Sequence, residues 1–165
     1  DSTMSILKVD TLQPATGSRV LSAGHVVQVV AGDHSTFSTR FTTTSTSFVT
    51  TGYSLTITPT SASSKILITS SMSMHISANG HYAGAKIYRG ASALGSEYYI
   101  GVVGGQQWGF GTNTYLDSPS TTSATTYTIY ARVTNSSGTG YFGWDGSFSS
   151  PSVNGCAFIL QEIAQ

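Results

Sequence analysis

Charged side chains are scarce in this chain of 165 residues. Lysine and arginine together number 7, aspartate and glutamate also number 7, and charged residues make up only 8% of the sequence. Ordinary globular domains contain about 25%. A protein that binds nucleic acid needs an excess of positive charge to neutralise phosphates. With no such excess here, nucleic acid is excluded as an expected partner.

Cysteine is almost absent too. Cys156 is the single cysteine, so an internal disulfide bond is excluded. The four residues that follow it, Ala157 to Leu160, are all apolar. This setting predicts a small buried core residue, because a reactive thiol needs a polar or charged environment.

Long hydrophobic runs are missing as well. No window approaches the roughly 20 apolar residues of a membrane-spanning helix, and the first residues lack the basic stretch and apolar run of an export signal. We therefore expect neither a secretion signal nor membrane insertion.

Hydroxyl side chains take the place of charges. Serine and threonine together account for 51 of the 165 residues, and threonine favours the pleated, half-buried surface of a β-sheet. The length suits one domain with a real core. We predict an all-β protein with an extended arm over residues 1–24 and a folded domain over residues 25–165.

Alternating apolar positions predict most of the strands. In residues 45–68 the pattern predicts two short strands separated by a turn at Gly52 and followed by a third strand. The buried faces of these three strands are predicted to contain Phe48, Leu55, Ile57, Ile66 and Ile68. Residues 65–76 continue the alternation and predict a central strand of one sheet. In residues 125–134, Tyr127, Ile129, Ala131 and Val133 share one face.

Turn residues complete the prediction. Asn79-Gly80 predicts a two-residue hairpin, with its partner strand following directly. Residues 104–111, rich in glycine and aromatics, predict either a bulged strand or an ordered loop. Eight to ten strands result, with no helical periodicity. This number favours a two-sheet antiparallel β-sandwich of jelly-roll type.

Several segments resemble tailed-bacteriophage fibre and appendage proteins. Residues 6–13 read ILKVDTLQ, and the short LKVDT segment precedes a β-rich distal domain in those proteins. Residues 25–30, 46–52, 57–67 and 159–165 are similar to that domain in order and spacing. The middle of the chain matches only in its strand rhythm, and residues 101–111 and 138–146 match no pattern of the family.

The resemblance implies a structural protein on the surface of the virion. It implies a homotrimer with a jelly-roll distal domain similar to the knobs of trimeric fibres and to the tumour-necrosis-factor and C1q class. It also implies that the arm attaches to other virion proteins through its apolar residues, which are Ile6, Leu7, Val9 and Leu12.

Aromatic residues in glycine-broken segments are the candidate contacts with a host glycan or protein receptor. The predicted ligand-binding residues are Trp108, Phe110, Tyr115, Tyr141, Trp144 and Asp145. Aromatic faces beside polar groups suit sugar binding, and Trp144-Asp145 precedes a glycine in a turn that would expose it. The same residue types also fill cores and subunit interfaces, so both interpretations stay open.

Catalytic and metal-binding patterns are weak. Most of the acidic residues fall at predicted turns, where aspartate bonds its own backbone, and the sequence has neither a nucleophile elbow nor a phosphate-binding loop. The four histidines follow no standard ligand spacing. We expect no enzyme activity, no cofactor and no metal.

Two functions remain from different classes. In the first, the domain ends a trimeric fibre or appendage and touches the host surface. In the second, it decorates the capsid or joins virion parts and binds no receptor. Exposed aromatics at the end away from the arm would favour the first, and a smooth hydroxyl-coated apex the second.

Overall fold

The computed structural model describes residues 23–32, 37, 39–101, 108–143 and 155–165. In that part of the chain, no helix is long and apolar enough to cross a membrane. The described residues form ten β-strands, which in chain order are β1 (Val26–Gly32), β2 (Phe41–Thr43), β3 (Val49–Ile57), β4 (Lys65–Ile76), β5 (Tyr82–Arg89), β6 (Ser92–Gly101), β7 (Trp108–Asp117), β8 (Thr125–Val133), β9 (Gly140–Phe142) and β10 (Cys156–Ile163). Residues 1–22 of the predicted arm, which include Ile6, Leu7, Val9 and Leu12, lie outside the described residues.

Eight of these strands form two layers of four antiparallel strands. The first sheet has the order β1-β10-β4-β7, and the short strands β9 and β2 extend it beside β4. The second sheet has the order β3-β8-β5-β6. Of the eight, every strand except β5 is followed by one in the opposite sheet, which is the strand order of a jelly roll. The predicted all-β jelly-roll sandwich is confirmed.

The core lies between the two sheets and follows the alternation of the sequence. In β4 every second side chain from Ile66 to Ile76 is buried, and in β8 the same holds from Tyr127 to Val133. β4 has partners on both edges, as predicted for a central strand. Cys156 is buried in this core, also as predicted.

Gly52 does not turn the chain. Residues on both sides of it belong to one strand, β3, and the pairing of β3 with β8 shifts between Thr50 and Ser54. Gly52 has a φ of 80°, which suits a β-bulge. The bulge changes which side chains face inward, so the prediction for Phe48 is wrong: its half-buried ring lies beside Tyr88 and Arg132.

Asn79-Gly80 forms a turn, but it does not close a hairpin. The strand that follows, β5, pairs with β6 and β8 in the second sheet. It is not paired with β4, because β10, β9 and β7 already occupy both edges of that strand. The turn therefore carries the chain from one sheet to the other.

Glycines in β7 make room for the core. A Cβ atom at Gly109 would lie 2.8 Å from Ile100 Cδ1, and one at Gly111 would lie 2.8 Å from Tyr98 Cδ2. Glycine at these two positions therefore leaves the space that the side chains of Ile100 and Tyr98 occupy. The glycine-rich segment is therefore a strand from Trp108 onward.

Glu162 is a fully buried carboxylate in β10. Gln28 Nε2 donates to one of its oxygens at 2.6 Å, and the backbone N–H and hydroxyl of Thr60 donate to the other at 2.8 and 2.7 Å. Burial alone would raise the pKa of Glu162, but hydrogen bonds from Gln28, Ser64 and Thr60 hold the pKa below its usual value. The carboxylate thus fastens β1 and the β3–β4 loop to β10.

Candidate functional site

The sandwich has two distinguishable ends. At one end β1 begins beside the last residues of β10, where the Gly24 N–H donates to the carbonyl of Ala164 at 2.8 Å. β4 also begins there, with Lys65 opposite Ile163. We call this the proximal end. His75 lies ten positions further along β4, about 33 Å away at the usual strand rise, and marks the distal end.

Two glycine-rich segments meet at the distal end of the first sheet. His75 pairs with Trp108 of β7 on one edge of β4 and with Tyr141 of β9 on the other. Phe110 pairs with Ser73 on the same outer face and is 62% exposed. Strand pairing therefore brings Trp108, Phe110 and Tyr141 to one place, although they lie up to 33 positions apart in the sequence.

Ring contacts order this region, which we call the first-sheet cluster and define as Arg40, His75, Phe110 and Tyr141. The Tyr141 ring lies 5.3 Å from the imidazole of His75, and the Arg40 guanidinium lies over the Tyr141 ring at 5.1 Å. His75 is buried, and burial lowers its pKa. The imidazole is therefore neutral near pH 7 and acts as an aromatic support.

The other predicted ligand-binding residues are placed differently. Tyr115 is half-buried on the core-facing side of β7 and packs against the core, apart from the exposed aromatics. The side chain of Trp108 lies outside the described part of the chain, and so do Trp144 and Asp145.

A second aromatic group lies on the outer face of the second sheet, also at the distal end. Tyr82 begins β5 shortly after β4 ends, and its ring meets that of Tyr99 edge to face with centroids 5.5 Å apart. Tyr82 is 41% exposed and Tyr99 is 63% exposed. Beside them, Arg132 forms a two-pronged ion pair with Glu97: Nε donates to Oε1 at 2.9 Å and Nη2 to Oε2 at 2.7 Å.

These side chains line an open cavity of about 290 Å³. The described residues that line it are Tyr82, Glu97, Tyr99, Arg132 and Thr134, which we call the second-sheet cluster. The backbone N–H of Tyr82 donates to the Thr134 hydroxyl at 2.9 Å, and the Thr134 N–H donates to the Tyr82 carbonyl at 3.0 Å. The rim of the cavity is therefore held by two hydrogen bonds between the first residue of β5 and Thr134, which directly follows β8.

The floor of this cavity depends on Gly84. Gly84 lies between Arg132 of β8 and Tyr99 of β6 in the register of the sheet. A Cβ atom at Gly84 would overlap Glu97 Oε1, so only glycine leaves room for the carboxylate to reach Arg132. The Arg132 guanidinium also lies 4.9 Å from the centre of the Phe48 ring, and its hydrogen bonds to the Glu97 carboxylate raise the pKa of Arg132. The Phe48 ring and the space above Gly84 thus keep the Arg132–Glu97 ion pair in this position.

Sequence reasoning did not select the second-sheet cluster. The alternation in β8 does place Arg132 on the outer face, which was a usable signal. The meeting of Tyr82 with Tyr99 depends on the register of β5 with β6, which shifts between Ala85 and Ile87. No local sequence pattern predicts this shift of register between β5 and β6.

The described carboxylates are all engaged in structural contacts. Glu97 binds Arg132, and Glu162 binds Gln28 and Thr60. Asp117 accepts from Arg89 at 2.8 Å and from the Tyr127 hydroxyl at 2.7 Å. Among the described residues, no three His, Cys, Asp or Glu side chains come together in a way that could hold a metal ion. The arrangement of the two clusters suits binding.

Comparison with known proteins gives only distant structural likeness. No family model and no curated protein matches the chain. A structure of the Gx strain of infectious bursal disease virus is 13% identical, with a TM-score of 0.46, and the match covers 94% of this chain and 42% of that one. The crystal structure of the VP2 subviral particle of the same virus is 12% identical, with a TM-score of 0.45 and coverages of 96% and 42%. The chain therefore spans about two fifths of the length of these proteins, and likeness at this level says nothing about activity or partners.

Proposed function

We propose that this chain is a structural and binding domain of a bacteriophage particle. In this proposal it forms the distal part of a trimeric fibre or appendage, and its distal end contacts the host cell surface. The resemblance of residues 6–13 and of the strand segments to phage appendage proteins supports the virion role. The distribution of exposed aromatic side chains supports the contact with a host.

The position of those aromatics is the observation that carries the proposal. Phe110 on the first sheet, and Tyr82 and Tyr99 on the second, lie at the distal end, on opposite outer faces of the sandwich. The segment before β1 joins the domain at the proximal end, about 33 Å away along β4. A domain held at its proximal end would thus present both aromatic clusters outward.

The outer face of the first sheet supports a homotrimer. Toward the proximal end, one row across the sheet contains Val29, Gln161, Leu67 and Leu116 in register. Val29 is 54% exposed and Leu116 is 48% exposed, and the row carries no charge. Exposed apolar side chains grouped in this way mark interaction surfaces. Packing of identical chains through this face would also multiply weak contacts at the distal end.

The oligomeric state tests this interface. Light scattering at micromolar concentration should give a particle three times the mass of the 17.2 kDa chain. Leu116→Lys should shift the particle toward monomer, because it places a charge in the apolar row. Ala93→Lys, at an exposed site of the second sheet, is the matched control and should leave the trimer intact. A monomeric wild-type protein would contradict the proposed assembly.

Attachment to cells tests the host contact. Fluorescently labelled protein should bind the host bacterium saturably, and Phe110→Ala should weaken that binding at least about tenfold, which corresponds to 1.4 kcal/mol. Thr114→Ala, exposed four residues along the same strand, should bind like the wild type. Absence of saturable attachment would instead favour capsid decoration with no receptor.

A further inference from the structure

We infer that the second-sheet cluster binds one neutral sugar ring, as part of a surface glycan. This inference deepens the attachment function proposed above and rests on it for its biological role. The cavity itself is defined by Tyr82, Glu97, Tyr99, Arg132 and Thr134. None of these residues belongs to the group that the sequence selected.

The two tyrosines supply an apolar platform. Tyr99 is the more exposed of the pair, at 63%, and its ring orientation is supported by the edge-to-face contact with Tyr82. Both rings stand on paired strands, so little conformational entropy is lost when a ligand binds. The C–H face of a pyranose ring can cover such a platform while its hydroxyls point to the rim.

The Arg132–Glu97 pair supplies the polar recognition. Arginine has five N–H donors and a carboxylate has about four acceptor sites. The ion pair uses two of the donors and two of the acceptor sites. A sugar hydroxyl both donates and accepts, so neighbouring hydroxyls match a carboxylate beside a guanidinium. Phe48 and Gly84 hold the pair in place before a ligand arrives.

The charge and size of the cavity favour a neutral ligand of one ring. Among the described residues, one cation and one anion line it, and they neutralise each other at 2.7 and 2.9 Å. A phosphate or a sialic acid bound to the remaining donors of Arg132 would lie beside the negative charge of Glu97, which disfavours its binding. The volume of about 290 Å³ lies at the lower end of ligand pockets, about 300–1,000 Å³, which suits one sugar residue.

The test is an NMR titration of the full chain with methyl glycosides. The probes are the methyl glycosides of glucose, galactose, mannose, N-acetylglucosamine and rhamnose, with inorganic phosphate and N-acetylneuraminic acid as anionic probes. At least one neutral glycoside should bind with millimolar affinity and shift the amide signals of residues 82, 97, 99 and 132. The anions should bind at least tenfold more weakly.

Three variants locate the site. Tyr99→Ala should weaken glycoside binding at least tenfold without lowering the melting temperature, since the ring is exposed. Thr114→Ala, at an exposed site of the opposite sheet, should leave glycoside binding unchanged. Glu97→Gln should weaken the neutral glycoside and strengthen phosphate binding, because it leaves the charge of Arg132 uncompensated.

The inference is overturned if no neutral glycoside binds, or if the anions bind more tightly than the glycosides. It is also overturned if binding survives Tyr99→Ala or is unchanged in Glu97→Gln. Saturable attachment to cells without any glycoside binding would remove this site and leave the attachment function standing. Glycoside binding without attachment to cells would remove the attachment function and leave the site standing.

Discussion

The carboxylate of Glu162 gives the fold a stability that depends on pH. Replacing it with glutamine keeps the size of the side chain but removes the charge that Gln28 and Thr60 bind. The new amide group can still accept from Thr60. Its NH₂ group, however, faces Gln28 Nε2, which is held as a donor because it also donates to the Thr58 carbonyl at 2.7 Å.

The expected cost follows from these contacts. A hydrogen bond to a charged group contributes about 1.5–3 kcal/mol, and a buried donor left without an acceptor costs about 1–3 kcal/mol. We therefore expect Glu162→Gln to lower the free energy of unfolding by about 2 kcal/mol at pH 7. For a chain of this size the melting temperature should fall by roughly 4–8 °C.

The effect should vanish in acid. The pKa of Glu162 is lower in the folded protein than in the unfolded chain, so its stabilisation is fully present above the unfolded value of about 4.3. That stabilisation is lost as the pH falls through the folded pKa. Wild type and Glu162→Gln should therefore differ most at pH 7 and converge as the pH falls through the lowered pKa of the folded protein.

Thermal melting followed by circular dichroism, at one protein concentration across pH 3–8, measures both effects. Glu97→Gln is the control, because its half-exposed ion pair with Arg132 should contribute only about 0–1 kcal/mol. Equal melting temperatures of wild type and Glu162→Gln at pH 7 would refute the reasoning. A difference that stays constant down to pH 3 would refute it too.

Three further predictions concern the core. Burial raises the pKa of the Cys156 thiol to about 12, so iodoacetamide at pH 8 should label it only after unfolding in urea; rapid labelling of the native protein would contradict its placement. Gly111→Ala should cost about 1–3 kcal/mol by overpacking, because the added methyl group meets Tyr98 and Met74; an unchanged melting temperature would mean that β7 packs differently. Phe158→Ala should cost about 3–5 kcal/mol, since the ring is fully buried, and a urea midpoint close to that of the wild type would contradict it.

The alternation of side chains was enough to predict the sandwich. In β8 the apolar and polar residues alternate without interruption, and the structure buries the predicted face from Tyr127 to Val133. In β4 the alternation also predicted a central strand, which the pairing on both edges confirms. Such strands can be predicted because burial of every second side chain requires an apolar residue at every second position of the sequence.

Contacts between sheets were not predictable in the same way. Gly52 and Asn79-Gly80 have the residues of turns, but whether a turn closes a hairpin depends on which strand edges are free. The glycines of β7 gave a weak strand signal, since their role is to leave space for side chains of other strands. The second-sheet cluster was missed for a related reason: Tyr82 and Tyr99 meet only through a shifted register.

Because Gly84 has no side chain, its position has an evolutionary consequence. Any other residue there would push the Glu97 carboxylate away from Arg132, because its Cβ atom would overlap Glu97 Oε1. In the inference drawn above, this one position therefore controls whether the second-sheet cluster can bind its sugar. If the chain attaches to host cells as proposed, a single substitution at this position would discard one binding specificity, and its reversal would restore it.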